Sequence, residues 1–235
     1  MMRLKNYKKE FDYSYVLGPF PTLELVETKP EILESVYISP DFNKIQETIE
    51  LLEKLGIAYE IDQKNLNRIS TKKKEYMAGV FNKYKGEISR GKNHILLDNV
   101  SDMGNLGTII RTMVGFGYRD LALVGNCCDI FNPKVIRGSM GAFFKVNFEE
   151  FSNLKEYRER FDNKIYSFML EEDSKEIKTT NFEENFTLAF GNEGRGLGDE
   201  YKSNGISKVI IPQSEDVDSL NLTIAAAVAM YEAGK

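Results

Sequence analysis

Four polar side chains, Asn105, Arg111, Glu193 and Asn221, sit beside apolar or glycine-rich runs in the C-terminal part of this 235-residue chain. Glu193 lies inside Gly191-Asn192-Glu193-Gly194-Arg195-Gly196-Leu197-Gly198, directly after the apolar run FTLAF. Four glycines in eight residues let a backbone approach a ligand closely. A plain turn or a generic nucleotide loop would use the same residues. A carboxylate repels phosphate, however, and fits better beside a cation or a sugar hydroxyl. S-adenosylmethionine offers both, as a sulfonium and a ribose. Arg111 follows Asn105 by six residues, about 600° around a helix. That places it close to the apolar face of Leu106, Ile109, Ile110 and Met113, where an arginine is costly unless paired. An ion pair with a nearby carboxylate such as Glu193 is the plain structural reason for its presence. Asn221 falls in the first turn of a final helix for which Ser219 is a plausible N-cap. The apolar stripe from Ile224 to Met230 reads as core packing.

Other constellations carry less. Gly86-Glu87-Ile88-Ser89-Arg90-Gly91-Lys92-Asn93 nearly spells a phosphate-binding loop. It ends in Asn93 where a hydroxyl should hold magnesium, and a strand follows it where a helix should. Cys127 and Cys128 are the only cysteines, and they are adjacent. Neighbours on a strand point to opposite faces, so they make a poor metal pair, and no metal site is expected. Two buried or half-buried thiols in a reducing cytoplasm are the expectation. His94, the only histidine, opens a strand and reads as structural. The start of the chain lacks the apolar core of a signal peptide, and no run approaches a membrane span, so a soluble cytoplasmic protein is expected.

These residues need elements to hold them. Hydrophobic content of 42% and charged content of 29% belong to a globular chain with real cores. Apolar runs at 34–39, 57–61, 94–100, 120–125, 144–148, 164–170, 186–191 and 207–212 predict strands. Ile45, Ile49, Leu52 and Leu55 form one stripe of a helix that Gly56 ends. Helices are also expected at 105–116, 132–140, 151–160 and 219–234. Strand-helix alternation favours parallel sheets. The polar stretch around 83–93 divides the chain into an N-terminal α/β domain, 1–85, a linker, 86–91, and a C-terminal α/β domain, 92–235. The net charge of -5 is uneven. Residues 1–90 carry 15 Lys/Arg against 14 Asp/Glu, and the remainder 16 against 22. Nucleic-acid contact would therefore depend on local clusters such as Lys72, Lys73 and Lys74, which also read as a solvated turn.

NLGTIIRT at 105–112, IRGSMGAFFKV at 136–146, FGNEGRGL at 190–197, and IP at 211–212 followed by SLNLTIAAAVAMYE at 219–232 resemble, in order and context, the SpoU (TrmH-like) class of SPOUT RNA methyltransferases. VLGPFPTLELVETKP (16–30), VYIS (36–39) and KKEYMAGV (73–80) are similar to the substrate-binding domain often fused to that class. The resemblance implies a trefoil-knotted, parallel-sheet C-terminal domain that binds S-adenosyl-L-methionine and works as a homodimer. It implies methyl transfer to a ribose 2′-hydroxyl of RNA, with rRNA favoured over tRNA. Arg111 would be the catalytic group, as a base or as a charged clamp on phosphate and alkoxide. Asn105 and Glu193 would orient it, and Asn221 would support the site. Ala189, Gly191, Asn192, Gly196, Ile211, Leu220 and Asn221 would cradle the cofactor. Ser139 would shape the RNA-side wall. Segments 104–116 and 219–233 would form the dimer interface.

The chain departs from the family pattern at Met103, where proline is usual, and at Gln213 and Glu215. With Asp216 and Asp218, Glu215 makes an acidic loop that would repel RNA phosphate. Rival readings are a catalytically silent RNA-binding protein of the same fold, a base-nitrogen RNA methyltransferase, and a nucleotide hydrolase. The last lacks a phosphate loop.

Overall fold

The computed structural model describes residues 4–70 and 74–234. The chain folds into two compact units. Of the described residues, those up to Tyr84 and Asp129–Lys145 form the first, and Lys85–Cys128 and those from Val146 onward the second.

The first unit runs β1 (Tyr13–Leu17), α1 (Pro19–Thr28), β2 (Leu33–Ile38), α2 (Ile45–Leu55), β3 (Tyr59–Ile61), α3 (Gln63–Ile69) and β4 (Met77–Asn82). Its sheet has the order β1-β4-β2-β3. The β2-α2-β3 passage is parallel, as the sequence pattern predicts. The sheet is nevertheless mixed, because β4 inserts antiparallel between β1 and β2. Strands β1 and β4 and helices α1 and α3 leave no clear periodic signal. Gly56 ends α2 in the left-handed conformation, φ 69°. Lys74 is exposed and pairs with Asp41 at 2.8 Å. Lys72 and Lys73 lie outside the described residues.

The sequence boundaries put 129–145 with the C-terminal domain, but this segment packs into the first unit. Phe143 and Phe144 are fully buried there against Phe81. Tyr84 and Phe131 complete the aromatic cluster. The Ser14 hydroxyl donates to the Phe131 carbonyl at 2.5 Å, and the Tyr7 hydroxyl donates to Asp129. This segment contains α5 (Pro133–Gly138).

The second unit holds β5 (His94–Asp98), α4 (Met103–Gly115), β6 (Asp120–Val124), β7 (Asn147–Phe151), α6 (Leu154–Arg160), β8 (Lys164–Phe168), β9 (Lys175–Glu176), β10 (Phe186–Phe190), β11 (Ile206–Ile210) and α7 (Leu222–Ala233). Its seven strands are all parallel, in the order β7-β6-β5-β10-β8-β11-β9. Central β5, β6 and β10 are buried along their whole length, as strands covered on both faces must be. The strand expected at 144–148 begins three residues later, since Ala142–Lys145 form a 3-10 turn.

Residues 86–91 are irregular but not loose. Ile88 is buried, and its amide donates to Glu149 at 3.2 Å. The Ser89 amide donates to Asp120 at 2.8 Å. A Cβ on Gly86 would lie 1.9 Å from the Phe148 carbonyl oxygen, so only glycine fits. His94 is structural. Its Nε2 faces the Ser89 carbonyl at 2.8 Å and must donate, leaving Nδ1 to accept from the Tyr157 hydroxyl at 2.7 Å. Among the described residues, no helix is long and apolar enough to cross a membrane.

Candidate active site

Strand order builds the site. Because β10 pairs with β5 on one side and β8 on the other, the glycine loop after β10 emerges beside the β5–α4 turn. Glu193 bridges the two. Its carboxylate accepts from the Asn105 side chain at 3.0 Å, the Asp102 amide at 3.3 Å, and the Ser101 amide and hydroxyl at 3.5 Å. Burial raises the Glu193 pKa, but these donors outweigh burial and hold it below the usual carboxylate value. Glu193 is thus an anion at neutral pH, and it fixes Asn105 in the first turn of α4. Asp102 caps that helix, accepting from the Asn105 amide at 2.7 Å. The turn therefore holds with Met103, rather than proline, as its first helical residue.

The glycine loop is folded on itself. Asn192 and Gly196 form a β-bridge, and the Asn192 side chain accepts from the amides of Gly194 and Arg195 at 3.0 and 3.2 Å. Its amide group donates to the Asn99 carbonyl at 2.9 Å. A Cβ on Gly191 would lie 2.1 Å from the Gly196 carbonyl carbon, so the loop closes only with glycine there.

A cavity of about 470 Å³ opens where the loops after β8, β10 and β11 converge. Gly191, Asn192, Glu193, Gly196, Ile211 and Leu220 line it, as the sequence resemblance implies. Ala189 does not. It is fully buried in the core with Leu96 and Ala122. Asn221 is not on the wall either. It is itself the N-cap of α7, accepting from the Thr223 amide at 2.9 Å, while Ser219, expected as the cap, lines the cavity. Ser139 belongs to the other unit and is fully buried. Its hydroxyl donates to the Ile136 carbonyl at 2.7 Å and accepts from the Phe143 amide at 3.2 Å, so it shapes α5 rather than a ligand wall.

Arg111 lies on the exposed side of α4, although its neighbours Ile109 and Ile110 are fully buried. Among the described residues it makes neither the expected ion pair with Glu193 nor any other, and it does not line the cavity.

Sequence reasoning missed part of the wall. Phe168 and Phe190, the last residues of β8 and β10, stack at 4.8 Å and 15° beside the cavity. Their position at the carboxyl ends of parallel strands was the available signal. Glu171, Arg195, Gln213, Asp218, Leu222 and Ala225 also line it. Cys127 and Cys128 are half-buried free thiols, and burial raises their pKa values to about 11 and about 12.

An all-parallel sheet with a cavity at the strand carboxyl ends is the arrangement in which open α/β folds bind their ligands. The AdoMet-bound rRNA methyltransferase from Sinorhizobium meliloti superposes with a TM-score of 0.81 over 94% of this chain and 87% of its own, at 23% identity. The SpoU rRNA Methylase family model matches residues 92–231, and the chain belongs to that family. Among curated relatives, an uncharacterized tRNA/rRNA methyltransferase of Synechocystis is 31% identical over 141 residues, 59% of this chain but only 52% of that protein. The 23S rRNA (guanosine-2'-O-)-methyltransferase RlmB of Acinetobacter baylyi is 26% identical over 246 residues, covering 93% of this chain and 96% of the relative.

Proposed function

We propose that the protein transfers the methyl group of S-adenosyl-L-methionine to a ribose 2′-hydroxyl of RNA, with rRNA favoured over tRNA. The carrying observation is the Glu193 bridge, which fixes Asn105 at the glycine loop beside a cavity of cofactor size. Family membership and the ribose chemistry in the RlmB relative's name support the same reading.

The cavity fits this cofactor on its own chemistry. Phe168, Phe190, Ile211 and Leu220 give apolar surface for an adenine, and the Gly191 fold brings backbone groups close. Glu171, Glu193 and Asp218 outnumber the single Arg195 among the charged lining residues. Lys202 offsets Glu171 at 2.9 Å, leaving two carboxylates. That balance suits a ligand with a sulfonium and an ammonium, and disfavours a triphosphate. Bound there, the cofactor supplies an electrophilic methyl group. Asn105 keeps its side-chain oxygen free of partners among the described residues, and can accept from a ribose hydroxyl. Arg111, charged, would grip an RNA phosphate and stabilise the developing alkoxide.

Arg111 faces solvent on α4, and the neighbouring surface is apolar. Phe116, Ile224 and Tyr231 are 44%, 54% and 55% exposed, and the Phe116 and Tyr231 rings meet at 6.0 Å. We assign this α4–α7 face to a homodimer interface at which Arg111 completes a site. We also assign a trefoil knot to the passage from β11 through α7, and an RNA-docking role to the N-terminal unit. A reaction on RNA and two free thiols fit a cytoplasmic setting.

The test is methyl transfer from labelled S-adenosylmethionine to unmodified bulk RNA, followed by digestion to nucleosides and mass spectrometry. A 2′-O-methylated nucleoside that disappears with Arg111→Ala is expected. A base-methylated product would move the chemistry to a nitrogen nucleophile. No product and no cofactor binding would sink the enzyme reading.

A further inference from the structure

Next to the cofactor cavity lies a second one of about 490 Å³, sharing Asn192, Arg195 and Gly196 with it. Asp98, Asn99 and Asn126, at the ends of β5 and β6, line it together with Gly198 and Glu200. Every lining side chain is polar or absent, so it is not built for an apolar ligand. Asp98 is already committed, accepting from the Tyr201 hydroxyl at 2.7 Å and the Asn99 amide group at 2.5 Å. The Asn99 oxygen accepts from the Asn126 amide at 2.8 Å. Arg195 and Glu200 differ. Among the described residues their side chains make no hydrogen bond or ion pair, with each other or with any other group, although they line one cavity with opposite charge. The Glu200 carboxylate folds over Gly198, within 2.4 Å of where a Cβ would stand.

Two unpaired opposite charges on one cavity fit a flat ligand with acceptors on one edge and donors on another. Among the four RNA bases, guanine alone has paired acceptors, O6 and N7, that match an arginine fork. It also has paired donors, N1–H and the exocyclic amino group, that match a carboxylate. We propose that this cavity binds the guanine of the RNA nucleotide to be methylated, with Arg195 on O6 and N7 and Glu200 on N1–H and the amino group. The assignment rests on the RNA-methyltransferase reading, since it places the base beside the methyl donor.

Protein loaded with S-adenosylhomocysteine would be titrated with GMP, IMP, AMP and UMP, following the amide resonances of Gly196 and Gly198 by NMR. GMP should bind at least about fivefold more tightly than the others. IMP lacks the exocyclic amino group and should fall with the weaker set. Glu200→Gln should bring GMP to the level of IMP and leave S-adenosylhomocysteine affinity unchanged. Equal affinities, shifts confined to residues elsewhere, or no binding up to the solubility limit of GMP would overturn the assignment. The bulk-RNA assay separates the two readings. A 2′-O-methylated A, C or U with no methylated G overturns the guanine pocket and leaves the enzyme reading intact. A Glu200-dependent GMP preference in protein that neither binds S-adenosylmethionine nor transfers methyl upholds the pocket and removes the enzyme reading.

Discussion

Glu193 carries both charge and position. Glu193→Ala should release Asn105 and lower kcat by about a hundredfold, a typical loss for a positioned polar group. The Kd for S-adenosylmethionine should rise too, by a smaller factor, since Glu193 is one of the two carboxylates left at the cavity. Single-turnover kinetics beside calorimetric titration separates the two effects, and an equal loss in both would make Glu193 a binding residue only. Two buried titratable groups give opposite pH signatures. Burial raises the pKa of Glu75, which is 4% exposed and has one carboxylate oxygen without a partner. The folded state therefore holds this proton more tightly. Stability is lost as pH rises through the unfolded value near 4.5 towards the raised folded value. Glu75→Gln should accordingly raise Tm by a few degrees at pH 7 and change little near pH 4. Burial lowers the pKa of His94. Its stability contribution is present above the unfolded value near 6.5 and is lost as pH falls below it. Thermal melts between pH 5 and 8 of wild type and His94→Gln should show that dependence flattening in the variant.

At the scale of elements, the active site is a set of strand ends and helix starts. Asn221 acts through α7, whose first turn carries Leu222 and Ala225 into the cavity wall. Asn221→Ala should cost about 1 kcal/mol of cap stability, seen as a Tm lower by about 2–4 °C. Cofactor affinity should fall with it, because Ser219 and Leu220 immediately precede the cap. Unchanged affinity at lowered Tm would confine Asn221 to a structural role. Several elements of the second unit are legible in the sequence because their signals are local. Buried parallel strands read as unbroken apolar runs, and α4 shows its apolar face directly. Strands β1 and β4 are not legible in this way, since Ser14 interrupts the short apolar run of β1 and Gly79 and Asn82 that of β4. Asn221 and Ser219 both have cap chemistry, and only the path of the chain out of β11 decides between them.

For the whole molecule, the exposed apolar surface of α4 and α7 is the feature that a monomer leaves unexplained. Tyr231→Asp should shift the protein from dimer to monomer in sedimentation velocity and abolish methyl transfer while the monomer stays folded. A monomeric wild type with full activity would remove the interface. RNA affinity should also fall with added salt, as phosphate contacts require. Lys74 offers only a partly neutralised cation because of Asp41.

The sequence by itself determined the strand-helix alternation, the glycine loop after an apolar strand, the family motifs and the residue types from which a site can be made. These follow from periodicity and local backbone demands, which act over a few residues. Tertiary structure alone decided which of them meet. Glu193 reaches Asn105 across 88 residues because β10 inserts between β5 and β8. Arg111, one residue from a buried isoleucine, turns to solvent because the helix is covered on one side only. Residues 129–145 leave the unit that flanks them in sequence because Phe143 and Phe144 are buried in the aromatic core of the other. Each outcome depends on burial and pairing between distant segments, and no local spacing encodes that.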